Sequence, residues 1–264
     1  MTLVDAQALL ELKEIDLAFG ESSVLKSLSF SVRKGEICSL IGPNGAGKSS
    51  VINIINGLYQ PQRGQIIFSG QMLSGYSATQ APHLGIARTF QNLALFKNMS
   101  VLDNVLTGRI LKSQSSFLAV LLNLPQQKKY ENQQRDQVEV LLKLLKLERY
   151  RHSIVSTLPY GLQKRVELAR ALASEPKLLL LDEPMAGMNH EEKQSIARFI
   201  QKINQRLGIT VLMIEHDIGV VMQISDHIVV LDYGKKIADG TAQDIQAHPE
   251  VLSAYLGSNL LHVG

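Results

Sequence analysis

Apolar and polar residues alternate in two stretches near the start of the chain. Residues 9–19 alternate imperfectly, and residues 25–32 alternate more clearly, with Leu28, Phe30 and Val32 on one face. A period of two is typical of a β-strand with one buried face and one solvent-facing face. We therefore predict that both stretches are strands of an antiparallel sheet half exposed to solvent.

Three other short runs are almost wholly apolar: residues 37–41, 178–181 and 210–214. Runs of this kind are typical of strands buried on both faces. Acidic residues directly follow the second and third runs, and a glycine-rich segment with polar residues follows the first. Since open α/β sheets bind ligands at the carboxyl ends of their strands, these polar residues are the candidates for a site.

The middle of the chain is rich in helix-like patterns. A stripe of apolar residues recurs there at helical spacing: Val138, Leu141, Leu142, Leu145. We interpret this stripe as core packing rather than as a partner-binding face. The polar residues 126–137, which follow Pro125, predict a flexible, solvated connection.

The first apolar run leads into a glycine-rich segment, and residues 51–56 then have the pattern of a helix. This strand–loop–helix context favours a phosphate-binding loop over a turn that binds nothing. Its backbone N–H groups would surround one anion, Lys48 would reach the β- and γ-phosphates, and Ser49 would place its hydroxyl on Mg²⁺. The segment comprises Gly42, Pro43, Asn44, Gly45, Ala46, Gly47, Lys48, Ser49 and Ser50.

Asp182 and Glu183 end the run at residues 178–181. Adjacent residues on a strand point to opposite sides, so one carboxylate can hold Mg²⁺ through water while the other faces the attacking water. His216 follows the run at 210–214, where it either donates to a phosphate or is only a polar cap.

Three further positions have two interpretations each. Phe19 either stacks on a nucleotide base or belongs to the core. Gln91 either orients a water or metal-bound ligand or is polar surface. Residues 158–165 precede a helix whose N-terminus is either a second anion site or an ordinary helix start.

Composition narrows the function classes. The net charge of +3 over 264 residues is too small to indicate a nucleic-acid partner. Cys38 is the single cysteine, which fits a reducing compartment. Because it lies in a predicted strand, we expect it to be a buried packing residue rather than a catalytic one. We expect no secretory signal and no membrane span, hence a soluble, cytosolic chain. The six histidines other than His216, among them His227, show no metal-ligand spacing.

Taken in order, these motifs resemble an ABC-type ATPase subunit over residues 10–256, nearly the whole chain. The resemblance implies ATP and Mg²⁺ as ligands, with Phe19 as the adenine-stacking aromatic and residues 42–50 as Walker A. It implies that Gln91 is the Q-loop glutamine linked to Mg²⁺ and water, and that Asp182 ends Walker B. Glu183 would be the general base and His216 the switch histidine on the γ-phosphate.

The same resemblance implies that the signature stretch acts across a head-to-tail pair of ATPase subunits, identical or paralogous. Here the stretch is Leu158-Pro159-Tyr160-Gly161-Leu162 in place of Leu-Ser-Gly-Gly-Gln. Pro159 offers neither a serine hydroxyl nor an N–H, so Tyr160, Gly161 and nearby amides would contact the γ-phosphate. Asn189 stands in the D-loop where Asp is common.

Within that family, the chain is similar to the ATP-binding subunits of branched-chain (hydrophobic) amino-acid importers. The similarity lies in residues 87–92 running into 98–105, in the D-loop at 186–189 and in the terminal residues 250–257. It implies two transmembrane permease subunits, an external solute-binding protein, and a peripheral location on the cytoplasmic side of the membrane. The alternatives are an ATPase of a lipid or drug exporter, a soluble ATPase acting on DNA or ribosomes, and a non-hydrolysing regulator.

The fold expected from all of this is α/β: a P-loop NTPase of the ABC ATPase type with an antiparallel β subdomain and a helical subdomain. The ATP-binding domain would span residues 10–257. Its helical subdomain would cover about 93–158, and residues 258–264 would form a tail.

Overall fold

The computed structural model describes residues 8–89, 93–110 and 125–256. The strands in these ranges are β1 (Ala8–Phe19), β2 (Ser22–Arg33), β3 (Ile37–Ile41), β4 (Arg63–Phe68), β5 (Gln71–Leu73), β6 (Ile86–Arg88), β7 (Leu178–Asp182), β8 (Thr210–Ile214), β9 (His227–Asp232) and β10 (Lys235–Gly240). The α-helices are α1 (Lys48–Ile55), α2 (Ala81–Leu84), α3 (Val101–Thr107), α4 (Pro125–Leu144), α5 (Tyr160–Ala173), α6 (His190–Leu207), α7 (Ile218–Ile224), α8 (Ala242–Gln246) and α9 (Pro249–Leu256).

The predicted antiparallel sheet is confirmed, and it has the strand order β2-β1-β4-β5. The hairpin β4–β5 joins it through β1, where Leu10 lies opposite Phe68. In β2, Leu28, Phe30 and Val32 are buried while their neighbours in sequence are more exposed, as the alternation predicts. This sheet therefore has one face in the core.

The second sheet has the order β10-β9-β3-β8-β7-β6. Its strands from β9 to β6 run parallel, and β10 is an antiparallel edge. Alternate residues enter two different cores: β3 contributes Cys38 and Leu40 to one, and Ile37 and Ile41 to the other. Burial on both faces explains why these strands have continuous apolar sequences.

Helix α1 lies in the core between the two sheets, where Val51, Ile52, Ile54 and Ile55 are buried. The core on the other face of the parallel sheet is covered by helices α3 to α7. This layering places the loop before α1 at the carboxyl end of β3, which is the sheet edge where ligands bind.

The flexible connection predicted at residues 126–137 is wrong, because this segment is the first part of α4. Its glutamines, lysines and glutamates are good helix formers, and most of the described side chains from 131 to 137 face solvent. The polarity that suggested a loop is the outer surface of a helix. The stripe at Val138, Leu141, Leu142 and Leu145 is confirmed as core packing.

Asn189 caps α6. Its side chain accepts a hydrogen bond from the Glu192 N–H at 2.9 Å, and the Glu192 carboxylate accepts from the Asn189 N–H at 3.1 Å. This reciprocal pair satisfies two N–H groups that a helix start otherwise leaves without partners.

Replacing Asn189 by Ala should therefore lower the free energy of unfolding by about 1 kcal/mol, whereas Asn189→Asp should leave it nearly unchanged. Urea unfolding of the three proteins, followed by circular dichroism, measures the difference. Equal midpoints for the Ala and Asp variants would contradict the capping role.

Candidate nucleotide-binding site

The predicted phosphate loop connects β3 to α1 in a conformation that needs glycine. Gly42 has a φ of 146°, and a Cβ built on it would lie 2.0 Å from the backbone oxygen of Leu231 in β9. Gly47 has a φ of 101°, and its Cβ would lie 2.8 Å from a methyl of Leu25 in β2. The neighbouring strands thus hold the loop too closely for larger residues.

Lys48 is buried at the first position of α1. Its Nζ donates to the carbonyl oxygens of Gly42 at 2.7 Å and Pro43 at 2.9 Å, so the ammonium group lies inside the curve of the loop. Burial lowers the pKa of Lys48, and the negative charges of Glu183 and Asp182 oppose this shift. The carboxylates of Asp182, which ends β7, and of Glu183, which follows it, therefore act on the phosphate-loop lysine.

A cleft of about 280 Å³ opens over the loop. Glu183 and His216 form its far wall, with 2.6 Å between the histidine Nε2 and the glutamate Oε1. Glu183 sits on a turn with a φ of 49°, an uncommon conformation for a residue with a side chain. The lining residues are Val24, Asn44, Gly45, Ala46, Gly47, Lys48, Ser49, Ser50, Glu183 and His216.

Asp182, the last residue of β7, is almost fully buried and forms an ion pair with Arg88 of β6. The distance between the guanidinium Nη2 and the carboxylate Oδ2 is 2.9 Å. Arg88 also donates to the Asn53 side chain of α1 at 2.7 Å. The sequence interpretation overlooked Arg88, which links the carboxylate to the helix behind the phosphate loop.

Glu215 is a second residue that the sequence interpretation overlooked. It is buried at the end of β8, and its carboxylate accepts from the backbone N–H groups of Met185 at 2.9 Å and His216 at 3.2 Å. Burial raises the pKa of Glu215, and these two hydrogen bonds lower it in part. The side chain thereby ties the turn after Glu183 to the segment that carries His216. The sequence did contain a signal for this residue, since Glu215 is an acidic residue directly after the apolar run at 210–214.

Phe19 ends β1, and its ring is 49% exposed. Its ring meets the ring of the partly buried Tyr59 edge-on, with 5.1 Å between the ring centroids. The core interpretation of Phe19 is therefore wrong. Its stacking on a base stays a prediction.

Tyr160 and Gly161 lie at the start of α5 and do not line the cleft. A Cβ on Gly161 would lie 3.1 Å from the Glu192 carboxylate, and one on Gly187 would lie 4.0 Å from the Tyr160 ring. The signature stretch thus adjoins the D-loop of its own chain rather than its own phosphate loop. Gln91 and the tail at 258–264 lie outside the described residues.

Two protein families match this chain. The family described as "ABC transporter" matches residues 25–186, which include every described site residue from the phosphate loop to Glu183. The family described as "Branched-chain amino acid ATP-binding cassette transporter" matches residues 235–259, from β10 to just beyond α9.

Individual relatives are similar over nearly the whole chain. "High-affinity branched-chain amino acid transport ATP-binding protein BraF" of Pseudomonas aeruginosa is 37% identical over 252 residues, 96% of this chain and 99% of that protein. The ADP conformation of the ATP-binding cassette MJ1267 has a TM-score of 0.82 at 32% identity, covering 95% of this chain and 99% of that one. A dimeric post-hydrolysis state of the cassette MJ0796, bound to ADP and Pi, has a TM-score of 0.72 at 26% identity over 88% of this chain and 98% of that one.

Proposed function

The chain belongs to the ABC transporter family, and we propose that it is the ATP-hydrolysing subunit of an importer for branched-chain or other hydrophobic or neutral amino acids. The observation that carries the proposal is the cleft where the phosphate loop faces Glu183 and His216. The solute class is supported by the family match at residues 235–259 and by the name of BraF.

In the proposed mechanism the chain first binds the triphosphate of ATP. The loop amides and the N-terminus of α1 surround the phosphates, and the Lys48 ammonium neutralises their charge. Lys48 exchanges its contacts with the loop carbonyls for phosphate oxygens without leaving the loop. The Phe19 ring, half exposed at the end of β1, is available to stack on the adenine.

Ser49 in the lining of the cleft and Asp182 at the end of β7 also fit Mg²⁺. Ser49 offers a hydroxyl and Asp182 a carboxylate, which are the hard oxygen donors that this ion prefers. The charge of Asp182 acts on Lys48, so the carboxylate and the phosphate loop share one electrostatic environment. When bound, the ion would neutralise charge that develops on the phosphates. From the resemblance, Gln91 would complete this set.

Glu183 takes the proton from the attacking water, because it is the carboxylate that lines the cleft opposite the phosphate loop. His216 lies within hydrogen-bond distance of it and can donate to the γ-phosphate. Glu215 acts as a positioning residue, since it holds the backbone on both sides of this pair.

The site needs a second subunit to be complete. Tyr160 and Gly161 do not line the cleft of their own chain, and in a head-to-tail pair they would close over the ATP of the partner. The dimer of MJ0796 supports this arrangement. Identifying the proteins that co-purify with the chain would show whether the second ATPase is an identical subunit or a paralogue.

The partners in the membrane would dock beside Arg88. A cavity of about 430 Å³ lies between β6, α3 and α5, and it carries two exposed apolar side chains, Phe96 and Ile110. Within the described ranges no helix has the length and hydropathy to cross a bilayer. From the similarity to importer ATPases, separate permease subunits would form the pathway, with a solute-binding protein outside and this chain at the cytoplasmic face.

An exporter ATPase would share every catalytic residue, and a soluble ATPase that acts on DNA or ribosomes would share the cassette fold. The C-terminal family match favours the importer over both. A regulator that does not hydrolyse ATP is disfavoured, because Lys48, Asp182 and Glu183 are all present.

Affinity purification from native membranes, followed by mass spectrometry, tests the proposal. We expect two permeases, a second ATPase and an amino-acid-binding protein. The variant Ile110→Glu should lose them, since it places a charge in the docking cavity. The control Met72→Glu, also at an exposed apolar residue but on β5, should keep them. Recovery of an exporter membrane domain, or of no membrane protein, would overturn the importer assignment.

A further inference from the structure

A cluster of three different metal-binding side chains lies at the end of the parallel sheet opposite the phosphate loop. Cys38 in β3 pairs with His227 in β9, and Glu36 directly precedes β3. The Cys38 Sγ, a ring nitrogen of His227 and a carboxylate oxygen of Glu36 all lie within 4.8 Å of one another. No spacing pattern reveals this set, because 191 residues separate Glu36 from His227.

The distances suit a single small ion. Zinc binds thiolate sulfur at about 2.3 Å, imidazole nitrogen at about 2.0–2.1 Å and carboxylate oxygen at about 2.0–2.2 Å, so ligand atoms around one tetrahedral ion lie about 3–4 Å apart. The His227 Nδ1 is 3.2 Å from the Glu36 Oε1, within that range. The other donor atoms lie no more than 4.8 Å apart, so they would move closer together to share one centre.

The surrounding contacts orient these donors. The His227 Nε2 lies 2.5 Å from a carboxylate oxygen of Asp239 in β10, and the Lys236 ammonium binds the other oxygen at 2.6 Å. A carboxylate on the outer nitrogen of a histidine leaves the inner nitrogen to face the ligand, which is the usual arrangement around metal-bound histidines. The Arg33 N–H donates to Glu36 at 2.7 Å and fixes that side chain as well.

We propose that Glu36, Cys38 and His227 form a binding site for a divalent transition-metal ion of the Zn²⁺ type. Sulfur, nitrogen and oxygen donors together favour zinc over Mg²⁺ or Ca²⁺, which prefer oxygen alone. The ion would join β3, β9 and, through Asp239, β10. The site is separate from the nucleotide cleft and from the Mg²⁺ residues proposed there.

The cluster is also arranged to hold positive charge without a metal. Hydrogen bonds to Asp239, Cys38 and Glu36 raise the pKa of His227 to about 12, so the ring is then a cation between two carboxylates. Burial raises the pKa of the Cys38 thiol. An incoming divalent ion would displace the proton on the inner nitrogen and the thiol proton, so the net charge of the cluster would stay the same.

Cobalt(II) titration of the full-length, tag-free chain tests the site. We expect one ion per chain, with the thiolate-to-cobalt and tetrahedral visible absorption bands, and we expect Zn²⁺ to displace it. Cys38→Ala and His227→Gln should lose these bands. Asp239→Asn, which alters a half-exposed side chain outside the core, should weaken binding by about 10–100-fold.

The control is His83→Gln, which removes an exposed histidine on α2 and should leave the titration unchanged. Zn²⁺ should also raise the thermal unfolding midpoint of the wild type and of His83→Gln, but not that of Cys38→Ala. Absence of the thiolate band in the wild type, or its survival in Cys38→Ala, would overturn the proposal and leave the ionic cluster as a purely structural element.

Discussion

Glu183→Gln should lower ATP turnover by about 10²–10⁴-fold, the range expected for loss of a general base. Gln has nearly the shape of Glu and can still hydrogen-bond to His216, but it cannot accept the proton of the attacking water. Binding of ATP should persist, because Lys48 and the loop amides are unchanged. Phosphate release by the assembled transporter measures the first effect, and equilibrium binding of labelled ATP measures the second.

Glu191→Gln is the matched control, because Glu191 is an exposed glutamate in the first turn of α6, outside the cleft. Its turnover should equal that of the wild type. If Glu183→Gln hydrolysed ATP at the wild-type rate, Glu183 would not be the base, and the mechanism would need another proton acceptor. The family assignment would stand in that case, since it does not depend on this residue.

The same variant tests the second subunit. A chain that binds ATP without hydrolysing it should stay paired, because hydrolysis is expected to remove the γ-phosphate that the signature stretch of the partner contacts. If the two subunits are identical, Glu183→Gln should elute as a dimer in ATP and as a monomer in ADP. A monomer in both nucleotides would contradict a pair of identical subunits and favour a paralogous partner.

The positions of several strands along the chain and the antiparallel sheet of β1 and β2 could be inferred from local patterns, but the lateral order of the parallel strands could not. Alternation identified β1 and β2, and apolar runs identified β3, β7 and β8, because burial on one face or both leaves a direct trace in sequence. At residues 126–137 the polar composition led to the wrong prediction of a flexible connection, because straight-chain polar residues form the outer face of α4 there. Composition alone does not separate a solvated helix from a loop.

The contacts that sequence reasoning missed all depend on sheet order. Arg88 and Asp182 are 94 residues apart, and they meet only because β6 pairs with β7. Cys38 and His227 meet because β9 pairs with β3. In contrast, the phosphate loop is contiguous, so its geometry follows from neighbouring residues and was predictable. The fold thus gives Asp182, whose role was visible in sequence, a partner in Arg88 that local patterns could not identify.

Arg88→Met should lower the free energy of unfolding by about 3–5 kcal/mol, the usual cost of removing one partner of a buried ion pair. Both side chains are 9% exposed, so the Asp182 charge would stay largely out of water with no counter-ion from Arg88. The Asn53 side chain would also lose its donor. Denaturant unfolding of the variant and the wild type measures the difference, with Arg63→Met on the exposed surface of β4 as the control that should change little.

The double variant Arg88→Met/Asp182→Asn shows why Arg88→Met loses stability. If the loss comes from an uncompensated carboxylate, removing that charge should restore part of the stability, so the double variant should be more stable than Arg88→Met alone. If Arg88 stabilised the fold only by packing, the decreases in unfolding free energy from the two single substitutions would add in the double variant. Mg²⁺ with ATP should also stabilise Arg88→Met more than it stabilises the wild type, because a cation at Asp182 would supply the missing positive charge.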